Sequence, residues 1–107
     1  MQYLLMIYQS EAEYNKWPAD EVARVTAEYE AFTQSIVQSG HFKGADRLRP
    51  TATATTVRIR DGKTLVTDGP FAETREQLGG YYLVEAADLD AALAIAARIA
   101  GAKTGSI

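Results

Sequence analysis

The sequence predicts one α+β domain in which an antiparallel sheet carries two helices on one face and a β-hairpin is inserted. Two apolar runs, residues 3–8 and 81–84, have the character of buried strands. Each run is followed by a stretch with helical periodicity, and between them lies an Asp61-Gly62 pair, typical of a tight hairpin. With 107 residues and no linker-like segment, residues 1–107 are expected to form a single domain.

The first half of the chain predicts a strand, a long helix and a short second strand. Residues 2–8 are apolar after the first position, as in a strand with both faces buried, and the polar segment after them is expected to be a loop. The long helix is expected to begin at Pro18, because proline is tolerated at the first position of a helix. Gly40 is expected to end this helix as a left-handed cap, and Pro50 to stop a strand at residues 42–48. The predicted buried stripe of the helix consists of Val22, Val25, Tyr29, Phe32 and Ile36.

The register of the hairpin follows from its turn. Asp61 and Gly62 form a two-residue loop in which both residues must reach positive φ. The predicted cross-strand pairs are Arg60–Lys63, Ile59–Thr64, Arg58–Leu65, Val57–Val66, Thr56–Thr67 and Thr55–Asp68. One face then carries Val57, Ile59 and Val66, and the other carries Arg58, Arg60 and Lys63.

Another strand is predicted at residues 78–84, and it contains an unusual glycine pair. Glycine weakens a strand unless a bulge or a close approach requires it. Gly79 and Gly80 therefore predict either a β-bulge that opens space beside Tyr81 or a tight approach of a partner subunit.

A second helix and a short last strand complete the predicted fold. Asp88 is the candidate N-cap of the helix, and Gly101 or Gly105 is expected to end that region. The predicted buried side of the helix carries Leu89, Ala92, Leu93, Ala96, Ile99 and Ala100. This order of elements matches a ferredoxin-like layout with an inserted hairpin.

Three segments of the chain resemble a known family. They are residues 66–83, which include Asp-Gly-Pro-Phe at positions 68–71, together with residues 52–58 and 105–107. These segments resemble the DGPF-domain branch of the YCII-related proteins. The resemblance implies a dimeric α+β barrel, and it implies a closing strand that is shorter here than in relatives. In the sister branch of that family a histidine on the first helix pairs with an aspartate, and no histidine lies on the corresponding helix here.

A homodimer is also expected from the predicted sheet itself. The two apolar strands offer side chains to both faces of the sheet, whereas two helices cover one face. A contiguous apolar patch of that size is rare on the surface of a monomer. A second copy related by a two-fold axis is expected to cover it, with Leu4, Met6 or Tyr82 in the interface.

Asp68 is the candidate catalytic residue. A carboxylate at a strand end beside a turn can act as a general base or bind a polar ligand. The alternative is that Asp68 accepts hydrogen bonds from the backbone amides of its own turn. Four candidate ligand-binding residues accompany it: Tyr8, Glu73, Arg75 and Tyr81. The guanidinium of Arg75 is suited to binding an anion. The alternative is that the charged residues form local ion pairs and that the tyrosines pack in an interface.

Composition restricts the function classes. The net charge of −3 argues against nucleic-acid binding, and no apolar run reaches the ~20 residues of a membrane span. The absence of cysteine excludes disulfides and thiolate chemistry, and it is compatible with the expected location in the reducing cytoplasm. No phosphate loop, dinucleotide fingerprint or metal motif is present, so no cofactor and no metal are expected. The expected function is binding or regulation through a small-molecule pocket near residues 68–71; the alternative is a lyase- or isomerase-like enzyme with Asp68 as base.

Overall fold

A three-stranded antiparallel sheet and a separate hairpin organise the chain in a computed structural model that describes residues 1–107. The strand order is β1–β5–β2, and a single bridge between Tyr8 and Ser106 adds a closing stub beside β1. This is the predicted ferredoxin-like arrangement, and no closed barrel forms within one chain. The strands are β1 (Gln2–Gln9), β2 (Phe42–Arg47), β3 (Thr55–Arg60), β4 (Lys63–Asp68) and β5 (Gln77–Glu85). The helices are α1 (Glu11–Tyr14), α2 (Ala19–Gln38) and α3 (Leu89–Ala96), with 3-10 turns at Thr51–Thr53 and Ala100–Ala102.

Local sequence signals explain where the helices begin and end. Pro18 has extended backbone and stands one position before the helix rather than at its first residue; its carbonyl accepts the amide of Val22. Gly40 has a φ of 82°, which confirms the left-handed cap. Asp88 caps α3 by accepting the Ala91 amide at 2.9 Å. The segment after β1 is not all loop, because the Ser10 side chain caps the short helix α1.

The core lies between the sheet and helices α2 and α3. Phe32 of α2 meets Tyr82 of β5 edge to face, with ring centroids 5.1 Å apart. The α2 stripe is buried only in its C-terminal half, at Phe32 and Ile36, whereas Val22 and Val25 remain half-exposed. The fully or nearly fully buried side chains are Leu5, Ile7, Phe32, Ile36, Tyr82, Val84, Ala86, Ala92, Ile95, Ala96 and Ile99.

The prediction of which residues of the last helix are buried is partly wrong. Leu89 and Leu93 are 57% and 56% exposed, whereas Ile95 is buried. The buried stripe of α3 consists of Ala92, Ile95 and Ala96, spaced by three and four positions, so Leu89 and Leu93 lie beside it; the helix is eight residues long and ends at Ala96. The alanines Ala92 and Ala96 face the sheet, and their small side chains allow the helix to pack close to it.

The hairpin of β3 and β4, called the arm below, projects from the domain. All six predicted cross-strand pairs are confirmed, and Asp61 and Gly62 have φ values of 53° and 72°. The arm pairs with no other strand, and its side chains Val57, Ile59 and Val66 are 60%, 58% and 64% exposed. The radius of gyration, 16.0 Å, exceeds the ~13 Å of a compact domain of this size because the arm extends outward.

The sheet also has an open face, which consists of Leu4, Met6, Tyr81 and Leu83. These residues pair across β1 and β5 and alternate with the buried positions under the helices. Leu4 is 53% and Met6 40% exposed. Tyr82, expected in an interface, lies instead on the helix side and is buried. No helix in the structure has the length and apolar character required to cross a bilayer.

The closing stub requires glycine at position 105. A Cβ at Gly105 would lie 2.0 Å from the carbonyl oxygen of Tyr8, in a segment held by two backbone hydrogen bonds to Tyr8. We expect Gly105→Ala to lower the free energy of unfolding by about 1–3 kcal/mol, since backbone must move. Urea unfolding followed by circular dichroism measures this. Gly44→Ala is the control, because a Cβ there meets nothing within 4 Å; equal stability of the two variants would contradict the prediction.

Candidate functional site

A cavity of about 640 Å³ lies between the N-terminal half of α2 and the sheet. Val22, Val25 and Tyr29 of α2 form one wall, and the ends of β1, β2 and β5 form the other. Tyr14 of α1 and the segment from Arg47 to Pro50 border its mouth. The helix stripe that stays half-exposed is therefore the wall of this cavity.

The glycine pair of β5 lines the cavity on its sheet side. Ile7 pairs with Gly80 and Tyr8 with Leu78, so Gly79 is the extra residue of a β-bulge, and the predicted bulge is confirmed. A Cβ on Gly80 would lie 2.9 Å from the carbonyl oxygen of Asp46, so the close approach is to the chain's own strand β2. Neither glycine contributes a side chain to the cavity floor, and α2 faces empty space above them.

Two hydroxyl groups at the inner wall form a chain of hydrogen bonds that ends at a backbone carbonyl. Thr33 Oγ1 donates to the Tyr29 carbonyl at 2.8 Å and lies 2.7 Å from the Tyr82 hydroxyl. Because Thr33 has one hydroxyl proton, Tyr82 must donate to it. The Tyr82 oxygen then offers lone pairs and no proton to a ligand. Burial also raises the pKa of the half-buried Tyr29 phenol, so Tyr29 stays neutral at physiological pH.

The mouth of the cavity carries the charged groups. Arg47 Nη2 donates to the Tyr14 hydroxyl at 3.1 Å, and the Tyr14 ring packs against Trp17 with centroids 5.2 Å apart. The Glu11 carboxylate accepts the Thr51 amide at 2.9 Å and so holds the segment after β2 against α1. This places the short helix and the chain after Arg47 on either side of the opening.

Tyr81 is the one predicted ligand-binding residue that borders the cavity. Its hydroxyl donates to Asp46 Oδ2 at 2.5 Å, between neighbouring strands. This hydrogen bond, together with the negative charge of Asp46, raises the pKa of Tyr81, because both favour the protonated phenol. The pair fixes the Tyr81 ring beside Met6 at the edge of the open face.

The other predicted site residues lie outside this lining. Asp68 is exposed at the end of β4, and its turn is held by the Gly69 amide and carbonyl, which bond to Ala54 and Thr56. Glu73 and Arg75 are exposed in the following loop, and Tyr8 pairs with the closing stub. The structure thus does not bring these four residues together around the cavity; their proposed roles stay predictions.

Two further side chains lie outside the cavity. Phe71, in the loop after β4, is 75% exposed. His41 follows α2, and its Nδ1 lies 2.9 Å from the carbonyl oxygen of Glu85, away from the cavity lining. Neither residue contributes to the candidate site.

Sequence reasoning did not identify Tyr14 or Tyr29 as site residues. The signal that could have found the cavity was present in two separate places. The apolar stripe of α2 extends over five positions, of which the core buries only two, and an unusual glycine pair lies in the strand opposite.

Comparison with known proteins agrees with the fold. The family model of the YCII-related domain matches residues 1–107. The chain belongs to the YCII-related family. A protein of Rhizobium meliloti (strain 1021), itself described as uncharacterised, is 41% identical over 108 residues, which cover 99% of this chain and 87% of that protein. YCII-related membership therefore supports the architecture, and the function is argued from the cavity.

The hydrogen bond between Tyr81 and Asp46 predicts a titration behaviour. Asp46→Asn removes the negative charge, so the pKa of Tyr81 is expected to fall back toward its ordinary value of about 10. Absorbance at 295 nm during alkaline titration, with Tyr81→Phe identifying the signal, measures the change. Asp61→Asn, at the tip of the arm, is the matched control and should leave the curve unchanged. An unaltered Tyr81 titration in Asp46→Asn would refute the assigned cause.

Proposed function

We propose that this protein binds a small molecule in the cavity between α2 and the sheet, and that it does so as a cytoplasmic homodimer. The volume of about 640 Å³ falls within the ~300–1,000 Å³ of small-molecule sites. Most of its lining surface is apolar, with polar side chains between the apolar ones, as is typical of such sites. The sequence Asp68-Gly69-Pro70-Phe71 supports membership of the DGPF branch.

One observation carries the proposal: the protein leaves apolar side chains of its main helix unburied above a floor of two glycines. Val22 and Val25 continue the stripe of Phe32 and Ile36, but the sheet covers them only in part and both line the cavity. Interiors normally pack to high density, so a gap of this size beneath an apolar stripe indicates a place for another molecule. An apolar ligand would complete the packing, so we assign a binding or regulatory role rather than proton abstraction by Asp68, which does not line the cavity.

Occupancy of the cavity can be tested with the neutral fluorescent probe N-phenyl-1-naphthylamine. Val25→Phe fills the space between α2 and the glycine floor, so it is expected to weaken probe binding about tenfold or more. Probe fluorescence during titration with protein measures the affinity. Val37→Phe is the control, since Val37 lies on the same helix and is 52% exposed. Equal affinities of Val25→Phe and wild type would show that the probe does not use this cavity.

The homodimer is supported by the apolar surface that the single chain leaves uncovered. Leu4 and Met6 of the open face, and Val57, Ile59 and Val66 of the arm, are each at least 40% exposed. A two-stranded hairpin is marginally stable without packing against another element. A second copy of the same chain can cover both surfaces by two-fold symmetry, with Leu83 rather than the buried Tyr82 in the interface.

Charge introduced on the open face is expected to separate the subunits. At micromolar concentration, sedimentation equilibrium should give a dimer for the wild type and an 11.7 kDa monomer for Leu4→Lys combined with Met6→Lys. The reason is that two cations per subunit would be buried against each other. Val37→Lys, at a position as exposed as Leu4, should stay dimeric. A monomeric wild type would contradict the proposal.

A further inference from the structure

We infer that the ligand of the cavity is an amphipathic anion, with an apolar body against α2 and a carboxylate or phosphate group held by Arg47 and Arg49. The inference rests on the proposed function, because it specifies what the same cavity binds. It follows from the charges at the mouth, from the partners those charges already have, and from the chemistry of the walls.

The two arginines at the mouth have no anionic partner in the chain. Three ion pairs exist, and they join the N-terminal ammonium to Glu85 and Arg24 to Glu21 and Glu28. Arg47 uses one N–H on the neutral hydroxyl of Tyr14, which positions its guanidinium beside the opening. A guanidinium carries five N–H donors in a planar fork that matches carboxylate and phosphate oxygens. Arg47 and Arg49, both exposed, therefore keep most of their donors for a ligand.

The acidic residues of the lining form no ion pair with these arginines. Three carboxylates border the cavity, on Glu11, Glu30 and Asp46. Glu11 accepts the Thr51 amide, and Asp46 accepts the Tyr81 hydroxyl, so each of these two is already engaged. Glu30 is exposed on α2 and forms no ion pair with either arginine. No carboxylate lies within ion-pair distance of Arg47 or Arg49, so their N–H donors can bind an incoming anion.

The walls beyond the mouth favour an apolar body. Val22, Val25 and Ile7 present hydrocarbon, and the floor is glycine backbone. The hydroxyl of Tyr82 gives its proton to Thr33, so its oxygen can accept a proton donor but cannot stabilise an anion. A charged group is therefore favoured at the arginines and disfavoured at the inner wall, which fixes the direction in which an amphipathic ligand enters.

The test is displacement of bound N-phenyl-1-naphthylamine by ligands that share one apolar chain. Octanoate and octyl phosphate carry an anionic group, and octanol is neutral. For the wild type, at least one anion is expected to displace the probe at a concentration about tenfold lower than octanol does. Combining Arg47→Gln with Arg49→Gln should abolish that preference while leaving octanol unchanged. The matched control is Arg58→Gln combined with Arg60→Gln, which removes the same charge from the arm and should keep the preference.

The outcomes separate this inference from the function on which it rests. If the probe binds and Val25→Phe weakens it, yet octanol displaces it as well as both anions do, the cavity binds small molecules and the anionic assignment is wrong. Persistence of the preference in the Arg47 and Arg49 double variant would also overturn the assignment. If the probe binds wild type and Val25→Phe equally, the proposed function itself fails. A preference for octyl phosphate over octanoate, or the reverse, identifies which anion the arginines accept.

Discussion

The arrangement of the site depends on one close approach, between the backbone of β2 and the central strand β5 at Gly80. A Cβ there would lie 2.9 Å from the Asp46 carbonyl oxygen, so any side chain would push the edge strand away. The adjacent bulge at Gly79 accepts the amide of Leu48 through its carbonyl and so draws the chain after β2 toward the sheet. The same two residues therefore position Arg47 at the cavity mouth and line the sheet side of the cavity.

This constraint has an energetic consequence for α2. Full burial of a valine side chain contributes about 1.5–3 kcal/mol, and Val22 and Val25 realise only part of that. A ligand that covers them restores the missing packing, and any ligand that binds only the folded state raises the apparent stability. The cavity is thus coupled to the stability of the helix, whereas Phe32 and Ile36 hold its other end independently of a ligand.

Local features were predictable from the sequence, and features that join distant segments were not. The Asp61-Gly62 turn determined the whole register of the arm, and Asp88 and Gly40 marked helix ends, because each signal acts within a few residues. The open face was also predictable, because the two apolar strands offer side chains to both faces of the sheet and the two helices cover one face. The cavity joins Tyr14, Arg47 and Gly80, which no local motif connects, whereas the segment around Asp68 is contiguous in the sequence and therefore predicts a site there.

The most direct test of the account is amide chemical-shift mapping on the uniformly ¹⁵N-labelled protein, titrated with N-phenyl-1-naphthylamine. If the probe enters the cavity, the largest shifts should occur at residues that line it, such as Val25, Thr33 and Gly80. The amides of residues 69–76 and of the arm should change little. Shifts confined to the loop after Asp68, or to the open face, with Gly80 unmoved, would contradict the claim that the glycine floor forms a binding site.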